Sequence, residues 1–228
     1  MATIGVSKPK YAIYTYDEAT KKITYSDGGS LGKATEVDVT INTSEDNNLY
    51  ADNGIAETDR QFTDGTITVG TDHLSQEISK AILGAKEQAL EEIPGITDSD
   101  VKELVFDDEM ANPYLGQGII IKTQRNNKTA WRAVMFTKTM FNVPDEAATT
   151  QGESIEWQTP SLVAAILRDD SATHVWKREA TFTTEAQAEA YLDYRLGITA
   201  PPASGGGEEG QAQRSAPAKT AAAGSEKV

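Results

Sequence analysis

Cysteine is absent from the 228 residues. Thiol nucleophiles, thiolate metal sites and disulfide frameworks go with it. The compartment stays open, but a disulfide-stapled secreted module is excluded. Histidine is scarce: His73 and His174 lie far apart, and a zinc site would need both plus a carboxylate, with nothing local to bring them together. No apolar run approaches the roughly 20 residues that a membrane-spanning helix needs. The N-terminal stretch MATIGVSKPKYAIYTYD lacks a charged segment followed by an apolar core, so no secretory signal peptide is expected there. At this length the expectation is one domain of ordinary size plus extras, or at most two small ones, stable without disulfide or metal.

Basic residues are the other shortage. There are 21 Lys and Arg against 35 Asp and Glu, for a formal net charge of -14. The imbalance is local: residues 1–110 hold 22 acids against 9 bases, residues 111–200 hold 10 against 9, and the last 28 hold 3 against 3. Nucleic-acid binding requires Lys and Arg to neutralise phosphates, so a specific DNA- or RNA-binding role is not expected. A general solubility bias is the plainer use of such a surface.

What is present is mostly strand pattern. YAIYTYD and KITYSD flank EATKK and predict a short hairpin, with Tyr11, Ile13, Tyr14, Ile23 and Tyr25 as strand-prone side chains. DGGSLGKA predicts a loop. TEVDVTIN alternates, with Val37, Val39 and Ile41 on one face, as a half-buried antiparallel strand does. GTITVGT predicts its partner, which makes Asn42–Asp64 one long excursion between paired strands, of a length usually functional or disordered. Leu49, Tyr50, Ile55 and Phe62 argue against simple disorder. A first helix is expected over DHLSQEISKAILGAKEQ with Asp72 as cap. A Pro-Gly turn is expected in EEIPGITDSD. Strands follow in KELVFDD, GQGIIIKTQ, AWRAVMFTKTMF, SIEWQTPSLVAAILRDD and THVWKREATF, with Pro160 at an edge or bulge. TTEAQAEAYLDYRLGI predicts a second helix, capped by Thr183 or Thr184 and burying Ala188, Tyr191, Leu192 and Leu196. After Ile198 the chain becomes rich in Pro, Gly, Ala and Ser without an aromatic, the composition of a tail or linker. No internal repeat is evident. The fold class expected is therefore mainly β with two helices: an antiparallel β-sandwich or barrel over residues 1–198, followed by a flexible 199–228.

Candidate chemistry is thin. NNLYADNGIAETDRQF has the acids, amides and glycine of a calcium loop, but an EF-hand needs ligands at positions 1, 3 and 5, Gly at 6 and Glu at 12. Gly54 at position 6 puts Leu49 first and Arg60 last; Gly65 there puts Arg60 first and Thr71 last. Both registers fail. RDDSATH holds Asp170, Ser171 and His174, yet triad members normally come from separate elements, and a polar turn is the plainer reading. SDGGSLGKA lacks P-loop spacing. With 35 carboxylates a glycosidase pair stays open in principle, but nothing singles one out. No enzyme activity, catalytic residue, metal or cofactor is expected. What remains is interaction. Antiparallel sheets have edges that invite pairing, and an acidic excursion with embedded Leu, Tyr and Ile suits a clasp whose apolar anchors supply the energy.

Several stretches together resemble a known family: IGVSKPKYAIY, ITYSDGGSLGKATEVDVTIN, NNLYADNGIAETDRQF, ELVFDD, YLGQGIIIK, QGESIEWQTPSL and LRDDSATHVWKREATFTTEAQAEAYL. In this order, from about Ile4 to Ile198, they are similar to the major tail (tail tube) protein family of long-tailed, non-contractile bacteriophages. NLYADNGIAE and QGESIEWQTP are specific as a set; neither is catalytic. The resemblance implies a β-sandwich of two antiparallel sheets flanked by helix, as in other phage tubes and type VI secretion tubes. It implies rings of six whose inner sheets join into a barrel, stacking into a tube that conducts DNA without binding it specifically. Implied partners are further copies of the chain, a tape-measure protein, and tail-terminator and baseplate proteins, with no membrane. The place implied is the virion tail, assembled in the host cytoplasm. By position, the excursion is assigned to contact with a neighbouring ring, with Asn48, Leu49, Tyr50, Asp52, Asn53, Gly54 and Ile55 as candidate residues. The acids either line the lumen or cover the outside, and the segment from Thr199 is either the stub of a linker to a decoration domain or simply variable. The alternative is a monomeric β-sandwich that binds a sugar or calcium.

Overall fold

In a computed structural model that describes residues 2–90, 93, 101–150 and 157–198, the alternating stretches become strands of one antiparallel sheet. The strands are β1 (Ala2–Asp17), β2 (Lys22–Ser30), β3 (Ala34–Thr43), β6 (Phe62–Thr71), β9 (Leu115–Arg125), β10 (Lys128–Phe141), β11 (Ser161–Leu167) and β12 (Lys177–Phe182). Four shorter strands form two separate hairpins: β4 (Asn47–Ala51) with β5 (Gly54–Asp59), and β7 (Lys86–Ala89) with β8 (Lys102–Val105). The helices are α1 (Gln76–Leu83) and α2 (Glu185–Arg195). The protein is mainly β, with two helices among the described residues and only antiparallel pairings.

Spatial order in the large sheet is β2-β1-β9-β10-β11-β6-β3, and β12 pairs β10 alongside β11. β10 is where the sheet divides. Its first half, Trp131–Phe136, pairs β12, and its last residues, Lys138–Phe141, pair β11. The register with β9 also slips between Phe136 and Thr139. Thr137 sits at the junction, completely buried, its N–H donating to Trp176 O (3.2 Å) and its hydroxyl to Val175 O (2.6 Å). A bulge of this kind bends a strand so that it can serve two sheets.

The fold-over encloses the main core. Leu115, Ile119, Val134 and Phe136 from one layer meet Ile67, Val69, Leu162 and Ile166 from the other, and Ile78, Ile82 and Leu83 of α1 close one side. The opposite face of β9 and β10 carries Ile120, Ala133 and Met135, which pack with Ala188, Leu192 and Leu196 of α2. β9 and β10 are thus buried on both faces, which explains the unbroken GIII run in place of alternation. The helix approaches closely because β9 presents Gly118, where a Cβ would lie 3.0 Å from Leu192 Cδ2 and 3.1 Å from Leu196 Cδ1. Among the described residues no sheet closes into a barrel.

Several boundaries differ from expectation, each for a local reason. The α1 cap is Ser75, whose Oγ accepts from Ile78 N (3.3 Å), not Asp72. The Asp72 carboxylate instead accepts the Lys33 N–H (2.8 Å). The helix stops at Leu83 rather than reaching Gln88, because Gly84 takes a left-handed φ of 70° and donates to Lys80 O (3.0 Å). Lys86–Ala89 is then strand. The glycine-rich DGGS is part of β2, where Gly29 pairs Tyr11 and Ser30 pairs Lys10, so the expected loop shrinks to Leu31–Lys33. The cap of α2 is Thr184. Pro160 precedes β11, where its carbonyl accepts from Thr71 N (3.0 Å). The expected EEIPGITDSD turn apart from Ile93, residues 151–156 of QGESIEWQTP and the 199–228 segment lie outside the described residues.

Candidate self-association site

β3 and β6 pair from Ala34–Thr71 to Thr43–Phe62, and the pairing does not end with the strands. Asn42 Nδ2 donates to Asp64 Oδ1 (2.5 Å), Ser44 N to Gln61 O (2.7 Å), and Gln61 N returns to Ser44 Oγ (3.1 Å). Arg60 then grips the Asp46 carboxylate with two nitrogens, Nε to Oδ1 (2.6 Å) and Nη2 to Oδ2 (2.8 Å), a bidentate geometry that fixes both chains of the ribbon. Beyond that clamp, β4 and β5 continue as a hairpin. What the sequence presents as a long inter-strand loop is therefore a β-ribbon with structure of its own. From Thr43 to Asp52, at about 3.3 Å per residue, it reaches up to about 30 Å.

The turn follows from its residues. Asp52 and Asn53 both take positive φ (49° and 65°) between the paired Ala51 and Gly54, the arrangement of a two-residue type I′ turn. Asp and Asn tolerate that region better than other side-chain-bearing residues. Below it, Tyr50 pairs with Ile55 and Leu49 with Glu57 around a bulge, and Asn48 faces Thr58, whose hydroxyl donates to Asn48 Oδ1 (2.7 Å). All seven candidate residues, Asn48, Leu49, Tyr50, Asp52, Asn53, Gly54 and Ile55, fall on this one hairpin.

The exposure of its apolar side chains distinguishes the hairpin. Leu49 is 59% exposed, Tyr50 67% and Ile55 58%. A lone exposed Leu needs no explanation, but three together on a projecting ribbon form a sticky tip. Acids surround it: positions 44–61 hold Glu45, Asp46, Asp52, Glu57 and Asp59 against Arg60 alone, a net of -4. Burying three such anchors contributes on the order of 5 kcal/mol per contact before ordering costs. Among the described residues β2, β3 and β12 of the large sheet each pair on one side only, which leaves edges open to further pairing.

Outside the hairpin four aromatics are exposed among the described residues without a sequence signal: Phe106, Tyr114, Trp157 and Tyr194. Trp157, 85% exposed just before β11, and Tyr194 on the outer side of α2 carry no pattern that separates them from core aromatics.

The remaining candidates do not assemble into a reactive centre. In RDDSATH the Ser171 hydroxyl donates to Asp169 Oδ1 (2.5 Å), while His174 Nδ1 lies 3.2 Å from the Asp169 carbonyl and His174 N donates to Ser171 O (3.0 Å). These are the bonds of a polar turn. His73 Nδ1 is 2.9 Å from Asp72. Among the described residues no group of three or more His, Asp or Glu is placed to hold a metal ion, and no helix is long and apolar enough to cross a membrane.

The fold and the tip together define an antiparallel β protein that carries a projecting, apolar-tipped ribbon. No protein-family model matches the chain, and a search of curated proteins finds no match.

Proposed function

We propose that this protein is a structural subunit that assembles with copies of itself into stacked rings, six to a ring, forming the tail tube of a bacteriophage and the conduit for DNA ejection. The observation that carries the reading is the β4–β5 hairpin, with Leu49, Tyr50 and Ile55 presented to solvent on a clamped ribbon. Within its own subunit this side-chain set contributes little beyond the Tyr50–Ile55 cross-strand pair, and it suits a neighbour's surface. The open β2 and β3 edges supply lateral pairing, and the sequence resemblance supplies the ring and tube geometry. In this reading the partners are further copies, a tape-measure protein, and terminator and baseplate proteins. DNA passes through without specific binding, since the negative charge offers phosphates no counterion release. The protein works in the virion tail after assembly in the host cytoplasm. Electron microscopy of purified protein tests this: tubes of stacked rings support it, and particles that remain monomeric at every concentration refute it.

A further inference from the structure

The hairpin and a second feature lie at opposite ends of the same strand. β3 runs from Ala34 to Thr43, and the ribbon continues past Thr43 to the tip. At the Ala34 end a hollow of about 620 Å³ opens, its lining including Val6, Lys8, Lys10, Lys33, Ala34 and Ile198. Two of its three lysines are committed. Lys8 binds Glu189, and Lys10 binds Asp193 while lying 3.0 Å from Glu189 Oε1. Lys33 is exposed, and its ammonium is in no ion pair among the described residues, although its backbone N–H is held by Asp72. The hollow therefore combines apolar patches with the exposed Lys33 ammonium, which interacts electrostatically with Asp72 but is gripped by no side chain among the described residues, and with Glu189, which Lys8 and Lys10 pair.

The hairpin is its chemical complement. Arg60 is occupied by Asp46, which leaves Asp52, Glu57 and Asp59 around Leu49, Tyr50 and Ile55. We infer that the hairpin tip of one copy docks into the Lys33 hollow of a second copy. The inference rests on the self-assembly reading above and names the surface that receives the hairpin. Because tip and hollow occupy opposite ends of one ribbon, the contact is head-to-tail: each copy offers both surfaces, and the interface propagates rather than closing as an isologous dimer. The charge pair sets register and excludes wrong docking, and the apolar anchors provide the attraction.

Charge exchange tests it. Lys33→Glu spoils only the hollow and Glu57→Lys only the tip, both at exposed positions, and unchanged thermal melts establish that each variant folds. Sedimentation velocity is run on wild type, each variant and their equimolar mixture. Each variant alone is expected to need at least tenfold more protein to assemble than wild type. The mixture recovers wild-type assembly, because the tip of the first variant then meets the hollow of the second, and the reversed tip meets the reversed hollow. Wild-type assembly by Lys33→Glu alone overturns the docking. So does loss of assembly without recovery in the mixture, which would give the hollow to another occupant, such as residues 199–228. A Leu49→Ala/Tyr50→Ala variant separates the two levels. If wild type assembles, this variant does not, and Lys33→Glu does, only the docking fails. If wild type itself never assembles, the self-assembly reading fails and the docking with it.

Discussion

Tyr50 stands opposite Ile55 across the β4–β5 hairpin, next to the Ala51–Gly54 pair that closes the turn, and both side chains face solvent. Cross-strand pairs of this type stabilise a ribbon by a few tenths of a kcal/mol to about 1 kcal/mol. That is much less than the two side chains would contribute if a neighbour covered them. Leu49→Ala/Tyr50→Ala is therefore expected to leave the thermal midpoint nearly unchanged, as exposed substitutions do, while reducing tube yield at least tenfold. Quantitative electron microscopy beside a melting curve checks both. Normal tube yield would remove the hairpin from the interface.

Helix α2 depends on the absence of a side chain at Gly118. A Cβ there would crowd Leu192 and Leu196, both completely buried. Gly118→Val is expected to destabilise the subunit by about 1–3 kcal/mol through overpacking, measured by denaturant unfolding. The same substitution at Gly54, where the nearest atom is 3.9 Å away, meets no such crowding.

Gln117 is completely buried on β9, in register with Tyr11 and Phe136, and neither amide atom has a hydrogen-bond partner among the described residues. An unsatisfied buried amide costs about 1–3 kcal/mol. Gln117→Met, of similar volume, is expected to raise stability by about 1 kcal/mol in urea unfolding. A loss of stability would mean that the amide is satisfied by internal water.

Acid should loosen the join between β1 and the turn after β11. The Asp170 carboxylate is held below the ordinary carboxylate range by the Lys138 ammonium (2.7 Å), against an opposing effect of burial, with further help from the Tyr14 hydroxyl (2.7 Å). Burial in turn pushes the Tyr14 hydroxyl well above its usual range. A depressed folded-state pKa contributes stability that is present above the unfolded-state value, about 3.9, and is lost as pH falls through the folded-state one. Wild type should thus lose stability below about pH 4, and Asp170→Asn should flatten that part of the profile. Melting curves from pH 2 to 7 check the difference.

The sequence made the strands legible wherever one face is wet. Val37, Val39 and Ile41 alternate, pack against the core and pair with β6 as their pattern requires. It was least legible where pairing overrides local preference. Gly29 and Ser30 continue β2 because β1 supplies partners, and Lys86–Ala89 leaves the helical pattern once Gly84 turns the chain. The division of the sheet at Thr137 has no sequence signal, since it arises from two partners competing for one strand. In the candidate site, only the apolar anchors Leu49, Tyr50 and Ile55 could be read from composition; the excursion reads there as a loop and not as a hairpin turning at Asp52 and Asn53. The Arg60–Asp46 clamp and the Lys33 hollow could not, because both bring together residues distant in sequence.

Self-assembly is the central claim, and sedimentation velocity of the purified protein across a hundredfold concentration range, with micrographs of the heaviest fraction, tests it most directly. A tube-forming subunit is expected to shift with concentration from a 24.6 kDa monomer to large particles that appear as stacked rings. A single slow boundary at every concentration, with a melting temperature that rises when a sugar or calcium is added, would contradict it.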